Sequence, residues 1–466
     1  MKNADQKLTI GMIPTRREAF SNPETIEQKQ RAVQRFRELS ESLDFKMIEI
    51  EDLNDEGMLK RYDEVPFVYD KMKAEKVDAL IFLHCNFGQE EAVGRLAKEM
   101  NVPVLVWGPR DAAPKGLEWR PTDSQCGMFA TTKLLQRYQV KYSYIENCNL
   151  DSAVLEQGLK DFLAVVSGVK AFRSLRIAKI STRPKEFLSV AVNENELLEK
   201  FDIEIVPGEA TRICHMIDTI LEKDKDRMED LLKDIEAHEI DIKQLGEAKY
   251  KVAAIELALM DFAKMNQCNA IACECWSLFN QRYGVAPCFL FGDLNDRGIP
   301  CACENDIMAA IASVIAIGAV RYMVPSFVAD LTIRHPENDN AELLWHCGSF
   351  AKRLKRKEAK GYITPNGKGF YELEQGVYTV LRFDEIGGRY YLFAGEGKRI
   401  EGPVTNGNYL WYEVEDWVRW EKKFMYGPYI HHVVGIPGSY SSIMKEICRY
   451  LDITFDAPEL PAFMNE

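Results

Sequence analysis

Three side chains that can act as acids, bases or metal ligands follow apolar segments in the second half of the chain. They are Glu304, Asp330 and His346. Ligands of α/β proteins bind at the carboxyl ends of parallel strands, so strands of one parallel sheet would place these side chains along one rim. For Glu304 a simpler alternative is that it only caps the helix predicted to follow it.

Two adjacent histidines, His431 and His432, lie in a further apolar segment. If that segment is a strand, its alternation turns one imidazole inward and the other outward. Two carboxylates with one or two imidazoles form a hard, mixed oxygen and nitrogen ligand set, which suits Mn²⁺, Mg²⁺ or Co²⁺. Carboxylates also move protons when they lie beside a reacting carbon. The set therefore suggests metal-assisted proton transfer on an oxygen-rich substrate.

A second candidate metal site consists of two C-x-C pairs, Cys273 with Cys275 and Cys301 with Cys303. Four thiolates could hold zinc, although structural zinc sites usually have C-x-x-C spacing. The 12 cysteines are expected to be reduced, because no secretion signal is evident. Most lie in apolar, strand-like segments, where a thiol packs as a small hydrophobic group. We therefore expect the two pairs to be buried in the core.

Strand-like and helical segments alternate through the first 350 residues, which is typical of parallel βαβ units. The strands are predicted near residues 8–14, 45–50, 77–84, 102–107, 175–180, 203–206, 269–273 and 301–303. After residue 350, short segments rich in Tyr, Val, Phe and Trp predict antiparallel strands instead. The predicted fold class is α/β, with two Rossmann-like parallel-sheet domains followed by a β-rich, barrel-like C-terminal domain.

The predicted domains are residues 1–170, residues 171–350 with the acidic ligands, and residues 351–466 with a histidine ligand. The apolar run at 307–320 predicts a buried core helix, because a membrane-spanning helix needs about 20 such residues. The basic run at 351–360 predicts a solvated linker.

The charge of the chain limits its partners. The formal net charge is −13, from 59 basic and 72 acidic residues, whereas binding to nucleic acid or anionic membranes requires a basic surface. The apolar stretch after the first residues is too short for the core of a signal peptide. We therefore predict a cytoplasmic protein that binds neither nucleic acid nor membranes.

Five short segments resemble segments of the L-fucose isomerase and L-arabinose isomerase family. They are GMIPTRR at 11–17, GIPCACEND at 298–306, SFVAD at 326–330, LWHCG at 344–348 and YIHHV at 429–433. They occur in the family's order across nearly the whole chain. Because each is short, the shared order carries more weight than any single match.

The resemblance implies a Mn²⁺-dependent aldose–ketose isomerase with two Rossmann-like N-terminal domains and a β-rich C-terminal domain. It also implies a homo-oligomer, a hexamer or a smaller assembly, whose active sites are shared between subunits. By the same resemblance, Glu304 and Asp330 would be metal ligands and the acid/base pair. His432 would be a ligand from the C-terminal domain, with His431 as the less favoured alternative. His346 matches a ligand of the arabinose branch, whereas Asp330 follows the fucose branch, so the resemblance leaves the fourth ligand open.

Substrate-binding residues are predicted in both halves of the chain. The resemblance assigns an arginine after the first strand to the substrate, here Arg16 or Arg17. Asn86 and Arg110, which also follow predicted strands, and His431 complete the predicted set. Arginines grouped at the site could bind an anionic sugar through bidentate, charge-assisted bonds.

The predicted reaction converts an open-chain aldose into a ketose through a cis-enediol intermediate. A carboxylate removes the proton on C2, and a carboxyl group returns it at C1. The substrate would be a neutral deoxyhexose or pentose, or an anionic hexose such as sulfoquinovose. The alternative function is a non-catalytic cytoplasmic sugar-binding or regulatory protein with two Rossmann-like lobes, which would not need the acid and histidine set.

Overall fold

A computed structural model describes residues 7–20, 22–117 and 120–463. The chain divides into an N-terminal unit, which ends at residue 167, and a C-terminal unit, which begins at residue 168. Within the described ranges, none of the helices has the length and apolar character needed to cross a membrane. The division into three domains stays a prediction.

The N-terminal unit is built on a parallel sheet. Its strands are β1 (Thr9–Thr15), β2 (Lys46–Ile48), β3 (Ala79–His84), β4 (Val104–Trp107) and β5 (Ser143–Tyr144), in the order β2-β1-β3-β4-β5. Its helices are α1 (Pro23–Ser42), α2 (Val65–Ala74), α3 (Glu90–Met100), α4 (Ser124–Arg137) and α5 (Ala153–Arg173). Every residue of β3 is buried, as expected for a strand that is covered on both faces.

The C-terminal unit begins with a second parallel sheet. The strands of this part are β6 (Arg176–Ile180), β7 (Glu204–Gly208), β8 (Ile240–Asp241), β9 (Ala270–Cys273) and β10 (Cys301–Ala302), and the sheet has the order β10-β9-β6-β7. Its helices are α6 (Glu194–Phe201), α7 (Ala210–Lys223), α8 (Lys225–Ala237), α9 (Ala248–Met265), α10 (Leu278–Tyr283), α11 (Cys288–Asp296) and α12 (Ile307–Ala319). Every residue of α12 is buried, which confirms the predicted core helix.

The rest of the unit is a large mixed sheet. Its strands are β11 (Phe327–His335), β12 (Asn338–His346), β13 (Gly361–Ile363), β14 (Gly369–Glu372), β15 (Val377–Ile386), β16 (Arg389–Ile400), β17 (Asn408–Glu413), β18 (His432–Pro437) and β19 (Thr454–Asp456). Two further helices are α13 (Trp417–Tyr426) and α14 (Ser441–Leu451). Strands β16, β15, β18, β11, β12 and β17 pair antiparallel in that order, and β17 pairs again with β16. This last pairing closes the ring, because no edge is then left between the six strands. The two parallel sheets and this barrel confirm the predicted fold class.

The predicted single rim of a parallel sheet is wrong for two of the three residues. Only Glu304 follows a strand of the parallel sheet. Asp330 lies within β11, and His346 is the last residue of β12, both in the antiparallel barrel. The apolar segments alone do not reveal with which strands they pair.

The basic run at 351–360 is not solvated at its beginning, which corrects the linker prediction there. Lys352 is 3% exposed, and its ammonium group forms an ion pair with Asp293 and lies 3.0 Å from Asp234 and 3.5 Å from Asp296. These acids belong to α8 and α11. A lysine is buried only when such partners offset its desolvation.

Glu342 on β12 provides a test of this structure through the pH dependence of stability. Its side chain is buried, and burial raises its pKa from 4.5 to about 7, against the opposing effect of Arg334. Between these two pH values the folded chain binds more protons than the unfolded chain, so raising the pH favours unfolding. Glu342→Gln should therefore be more stable than the wild type by about 2 kcal/mol near pH 8.

The same difference should vanish as the pH falls below about 4.5, because the wild-type carboxyl group is then protonated in the unfolded chain as well as in the folded chain. Urea unfolding of both proteins across this pH range measures the effect. A stability difference between the two proteins that is the same at every pH would contradict the raised pKa of Glu342.

Candidate metal and active site

Glu304 lies in a tight turn between β10 and α12. Its backbone has φ 54° and ψ 22°, the left-handed region, which costs a residue with a β-carbon about 1–3 kcal/mol. Asn305 follows with φ 58°, and its amide group donates to the carbonyl oxygen of Ile180 at 3.0 Å. Strain of this kind persists where the surroundings impose it, and it clusters at functional sites.

The pairing of the barrel strands places the other predicted ligands side by side. Asp330 on β11 lies opposite His432 on β18. On its other side, Asp330 lies opposite Trp345 on β12, the residue before His346. Directly opposite residues of antiparallel strands have β-carbons about 5 Å apart, so the barrel itself brings these side chains together.

Nε2 of His432 lies in the middle of this cluster. It is 3.5 Å from Oδ1 of Asp330 and 3.8 Å from Oε2 of Glu304, and Nε2 of His346 lies 3.9 Å from the same Glu304 oxygen. Both histidines are 2% exposed and Glu304 is 7% exposed. In the part of the chain that the structure describes, Oε2 of Glu304, Oδ1 of Asp330 and Nε2 of His346 are buried without a hydrogen-bond partner. Buried polar atoms are normally paired, so a ligand such as a divalent ion could satisfy them. Among the described residues, the sets whose ligand atoms all lie within 4.8 Å of one another are Asp330 with His431 and His432, and Glu304 with Cys275 and Cys303.

A buried network orients His432. Its Nδ1 donates to Oδ2 of Asp306 at 2.7 Å, and the same oxygen accepts from Nη1 of Arg382 at 2.5 Å. Burial by itself would raise the pKa of Asp306, but Arg382 and His432 outweigh burial and hold that pKa well below its usual range. Oδ1 of Asp306 accepts from the backbone N–H of Ala309 and caps α12. Asp306 thus both caps α12 and orients the candidate ligand His432.

The second carboxylate oxygen of Glu304 is held separately. Its Oε1 accepts from the indole N–H of Trp276 at 3.0 Å and from the thiol of Cys275 at 3.3 Å. These donors leave Oε2 as the oxygen that faces the two histidines. Glu304 therefore presents one oxygen to the site in a fixed orientation.

The Trp276 hydrogen bond can be tested directly. Trp276→Phe keeps an aromatic ring but removes the donor, so Glu304 loses one of two restraints. We expect Mn²⁺ to bind about fivefold more weakly, the equivalent of about 1 kcal/mol for a hydrogen bond to a carboxylate at a partly exposed residue. Isothermal titration with Mn²⁺ measures the change, and unaltered affinity would contradict the restraint.

An aromatic row lies beside the site. Phe187 stacks between Trp276 and His431, with ring centroids 6.1 and 5.6 Å away, and meets the ring of His432 edge-on at 5.1 Å. His431 is exposed and His432 is buried, so neighbouring side chains of this segment turn in opposite directions. One ligand atom of His431 still lies within 4.8 Å of the ligand atoms of Asp330 and His432.

The C-x-C pairs separate into two environments. All four cysteines belong to the hydrophobic core, and burial raises the pKa of the Cys273 and Cys301 thiols well above the usual range. Cys275 and Cys303 lie beside Glu304, within 4.8 Å of its carboxylate. Among the described residues, the groups able to hold a metal ion do not combine the four cysteines. This arrangement favours packing over a four-thiolate zinc site.

Four of the predicted substrate-binding residues lie after strands of the N-terminal unit. Arg16 is 4% exposed and pairs with Glu56 at 2.6 Å, yet its buried Nη1 has no hydrogen-bond partner in the described part of the chain. Oδ1 of Asn86 accepts from the backbone N–H groups of Arg17 at 2.9 Å and Gly88 at 3.0 Å. Asn86 therefore joins the ends of β1 and β3.

Two of the predicted arginines are more open to solvent. The guanidinium group of Arg17 lies 4.1 Å from the centre of the Phe87 ring. Arg110, beyond β4, is exposed and lines a cavity of about 350 Å³ with Asp111 and Glu146. The substrate-binding roles of Arg16, Arg17, Asn86, Arg110 and His431 stay predictions.

Sequence reasoning missed four residues that hold the site, namely Asp306, Arg382, Trp276 and Cys275. In the sequence, Asp306 has only the position of a cap before the predicted helix at 307–320. Arg382 carries a signal, because a charged residue two positions before Asp384 in an apolar strand has both charges on one face. For Trp276 and Cys275 the sequence offers no such pattern.

Comparison with known proteins relates the sequence to a family. Residues 11–173 match the family described as "Fucose/sulfoquinovose isomerase, N-terminal domain". "Sulfoquinovose isomerase" of Priestia aryabhattai is 24% identical over 368 residues, which cover 75% of this chain and 78% of that protein. The protein of the same name from Alkalicoccus urumqiensis is 25% identical over 335 residues, 70% of this chain and 73% of its own.

Among solved structures, a periplasmic solute-binding protein from Actinobacillus succinogenes 130z with bound D-allose covers 57% of this chain and 78% of its own, at 11% identity and a TM-score of 0.18. This score is too low to support a conclusion about fold or function. The sequence matches are of a different kind, because they cover most of both chains. Together with the match of residues 11–173, they support the assignment of this chain to the fucose isomerase-like family and to the aldose–ketose isomerases.

Proposed function

We propose that the protein is a divalent-metal-dependent isomerase that converts sulfoquinovose, or a closely similar sulfonated hexose, into its ketose. One observation carries the proposal: Nε2 of His432 lies 3.8 Å from Oε2 of Glu304 and 3.5 Å from Oδ1 of Asp330, although the three residues are distant in the sequence, and both oxygens are buried without a partner among the described residues. The named relatives support the choice of sugar.

The donor set fits the metal that the family implies. Oε2 of Glu304 and Oδ1 of Asp330 are buried without partners in the described residues, and a divalent cation would satisfy both. Nε2 of His432 points toward the same oxygens. Two carboxylate oxygens with one imidazole nitrogen suit Mn²⁺, Mg²⁺ or Co²⁺ better than a metal that prefers thiolates. Mn²⁺ is the ion that we propose.

When bound, the ion would act as a Lewis acid that polarises the substrate carbonyl and makes the proton on C2 more acidic. Two donors already occupy Oε1 of Glu304, so we assign proton transfer to the carboxylate of Asp330. It takes the proton from C2 to give a cis-enediolate and returns it at C1, while the hydroxyl proton passes from the oxygen on C2 to the oxygen on C1, so that the cis-enediol becomes the ketose. Asp306 holds the ring of His432 with Nε2 toward the site throughout.

The proposal includes further features that the family implies. Arg16, Arg17, Asn86, Arg110 and His431 are the proposed substrate-binding residues, with the arginines suited to a sulfonate group. A homo-oligomer with shared active sites and a cytoplasmic location are also part of it.

The test is an aldose screen with the purified protein. Sulfoquinovose, L-fucose, L-arabinose and glucose 6-phosphate are each incubated with Mn²⁺ and, separately, with EDTA, and the ketose is detected by NMR. We expect conversion of sulfoquinovose that EDTA removes and added Mn²⁺ restores. Conversion only of a neutral sugar would overturn the substrate, and equal rates with EDTA would overturn the metal. Binding of a sugar without conversion would favour the sugar-binding alternative.

A further inference from the structure

The two buried histidines of the site are held by opposite kinds of partner. In a neutral imidazole one ring nitrogen carries the proton and the other carries a free electron pair. Whether the nitrogen that faces the site carries the proton or the electron pair is therefore decided by the hydrogen bond at the other ring nitrogen. This opposite nitrogen is Nδ1 in both His432 and His346.

For His432 the partner of Nδ1 is a carboxylate. Oδ2 of Asp306, 2.7 Å away, can only accept, so Nδ1 carries the proton. The electron pair is then on Nε2, which faces the oxygens of Glu304 and Asp330. This is the arrangement of a metal-ligating histidine.

For His346 the partner of Nδ1 is a donor. The backbone N–H of Cys347 lies 2.9 Å from Nδ1, and a peptide N–H cannot accept. The thiol of Cys347 points to the sulfur of Cys288, 2.9 Å away, and lies farther from Nδ1, at 3.4 Å. Nδ1 therefore holds the electron pair, and Nε2 carries the proton.

The backbone around Cys347 makes this orientation hard to reverse. Gly348 has φ +150°, and a β-carbon there would approach the backbone nitrogens of Phe289 and Gly369 to 2.8 Å. The turn thus requires glycine. The carbonyl oxygen of Cys347 also accepts from the backbone N–H of Gly369 at 3.2 Å, which holds this turn beside the imidazole ring.

The N–H at Nε2 of His346 has nothing to donate to in the described part of the chain. The atom is buried without a partner, and Oε2 of Glu304 is 3.9 Å away, too far for a hydrogen bond. We infer that His346 is not a fourth metal ligand but a hydrogen-bond donor to a substrate oxygen at this site. The inference rests on the proposed function and differs from the role that the resemblance assigns to His346.

The role has a chemical purpose in an isomerisation through an enediol. Negative charge develops on a substrate oxygen when the proton leaves C2, and a preorganised N–H donor stabilises that charge. His346 would act on the reacting atoms directly. Its loss should therefore reduce kcat more than it changes the binding of the metal.

Metal binding separates the two roles. His346→Gln and His346→Leu should bind Mn²⁺ with a Kd within about threefold of the wild type, whereas His432→Gln should bind it at least about 100-fold more weakly. Pulsed EPR of the Mn²⁺-loaded wild type should show one coupled imidazole nitrogen, and the same signal in both His346 variants. Weak Mn²⁺ binding by both His346 variants, or two imidazole nitrogens in the wild type, would overturn the inference.

Activity and protonation give the second and third readouts. His346→Leu should lower kcat by about 10²–10³-fold, and His346→Gln, whose amide can donate from a similar position, should recover at least about tenfold of that loss. Nitrogen-15 NMR of histidine-labelled, metal-free wild type should place the proton of His346 on Nε2. A proton on Nδ1, from the other tautomer or from an imidazolium paired with a Cys347 thiolate, would overturn the inference.

These results are distinct from a failure of the proposed function. A wild type that isomerises no sugar would refute the proposed function, and the Kd, EPR and NMR results would still decide between donor and ligand. The NMR measurement uses the unaltered protein, so it remains decisive if a variant does not fold.

Discussion

Glu304→Gln is expected to lower kcat/KM for the aldose by about 10³-fold and to weaken Mn²⁺ binding. Glutamine preserves the size of the side chain and an acceptor for the indole of Trp276. It removes the charge from the oxygen that faces His432 and His346. Steady-state kinetics and Mn²⁺ titration of the purified variant measure the two effects.

Glu342→Gln is the matched control for this experiment. It makes the same isosteric change at another buried glutamate of the C-terminal unit, and it should leave kcat/KM within about twofold of the wild type. If Glu304→Gln also retained more than about a tenth of wild-type activity, the assignment of Glu304 to the site would be wrong.

Asp306→Asn is expected to affect both stability and metal binding. The buried guanidinium of Arg382 would keep only Asp384 as a charged partner, and breaking such a pair destabilises by about 3 kcal/mol. Asparagine still caps α12 but holds the ring of His432 less firmly, so Mn²⁺ affinity should fall about 10–100-fold. Urea unfolding and Mn²⁺ titration measure the two losses.

The stability loss has a defined pH dependence. The pKa of Asp306 is held below its usual value of 3.8, so the charged form stabilises the fold above that pH. This contribution is lost as the pH falls through the lowered pKa. The difference between Asp306→Asn and the wild type should therefore be constant near neutral pH and shrink below about pH 4.

Asp384→Asn distinguishes the two functions of the network. It removes the other charged partner of Arg382 but leaves the hydrogen bond between Asp306 and His432 in place. It should lower stability while Mn²⁺ affinity stays within about threefold of the wild type. Equal losses of affinity in both variants would show that Asp306 acts only through general stability.

The family match and the geometry of the site concern different parts of the chain. The family match covers residues 11–173, whereas Glu304, Asp330 and His432 all lie in the C-terminal unit. Since the relatives align over most of both chains, the two kinds of observation concern one protein type.

The buried helices and strands of this protein can be predicted from the sequence alone. The apolar run at 307–320 predicts a helix in the core, and α12 is buried at every residue. The continuous apolar segment at 77–84 predicts a strand covered on both faces, and β3 is buried throughout. Such features are readable because hydrophobic periodicity and length act over a few neighbouring residues.

Which side chains meet at the site is known only from the folded structure. Asp330 meets His432 because β11 pairs with β18, and Lys352 is buried because α8 and α11 supply its acids. The sequence does not indicate which ring nitrogen of a histidine carries the proton. In the folded protein this depends on the hydrogen-bond partner of Nδ1. Contacts between residues about a hundred positions apart depend on strand pairing and packing, which no short segment of sequence encodes.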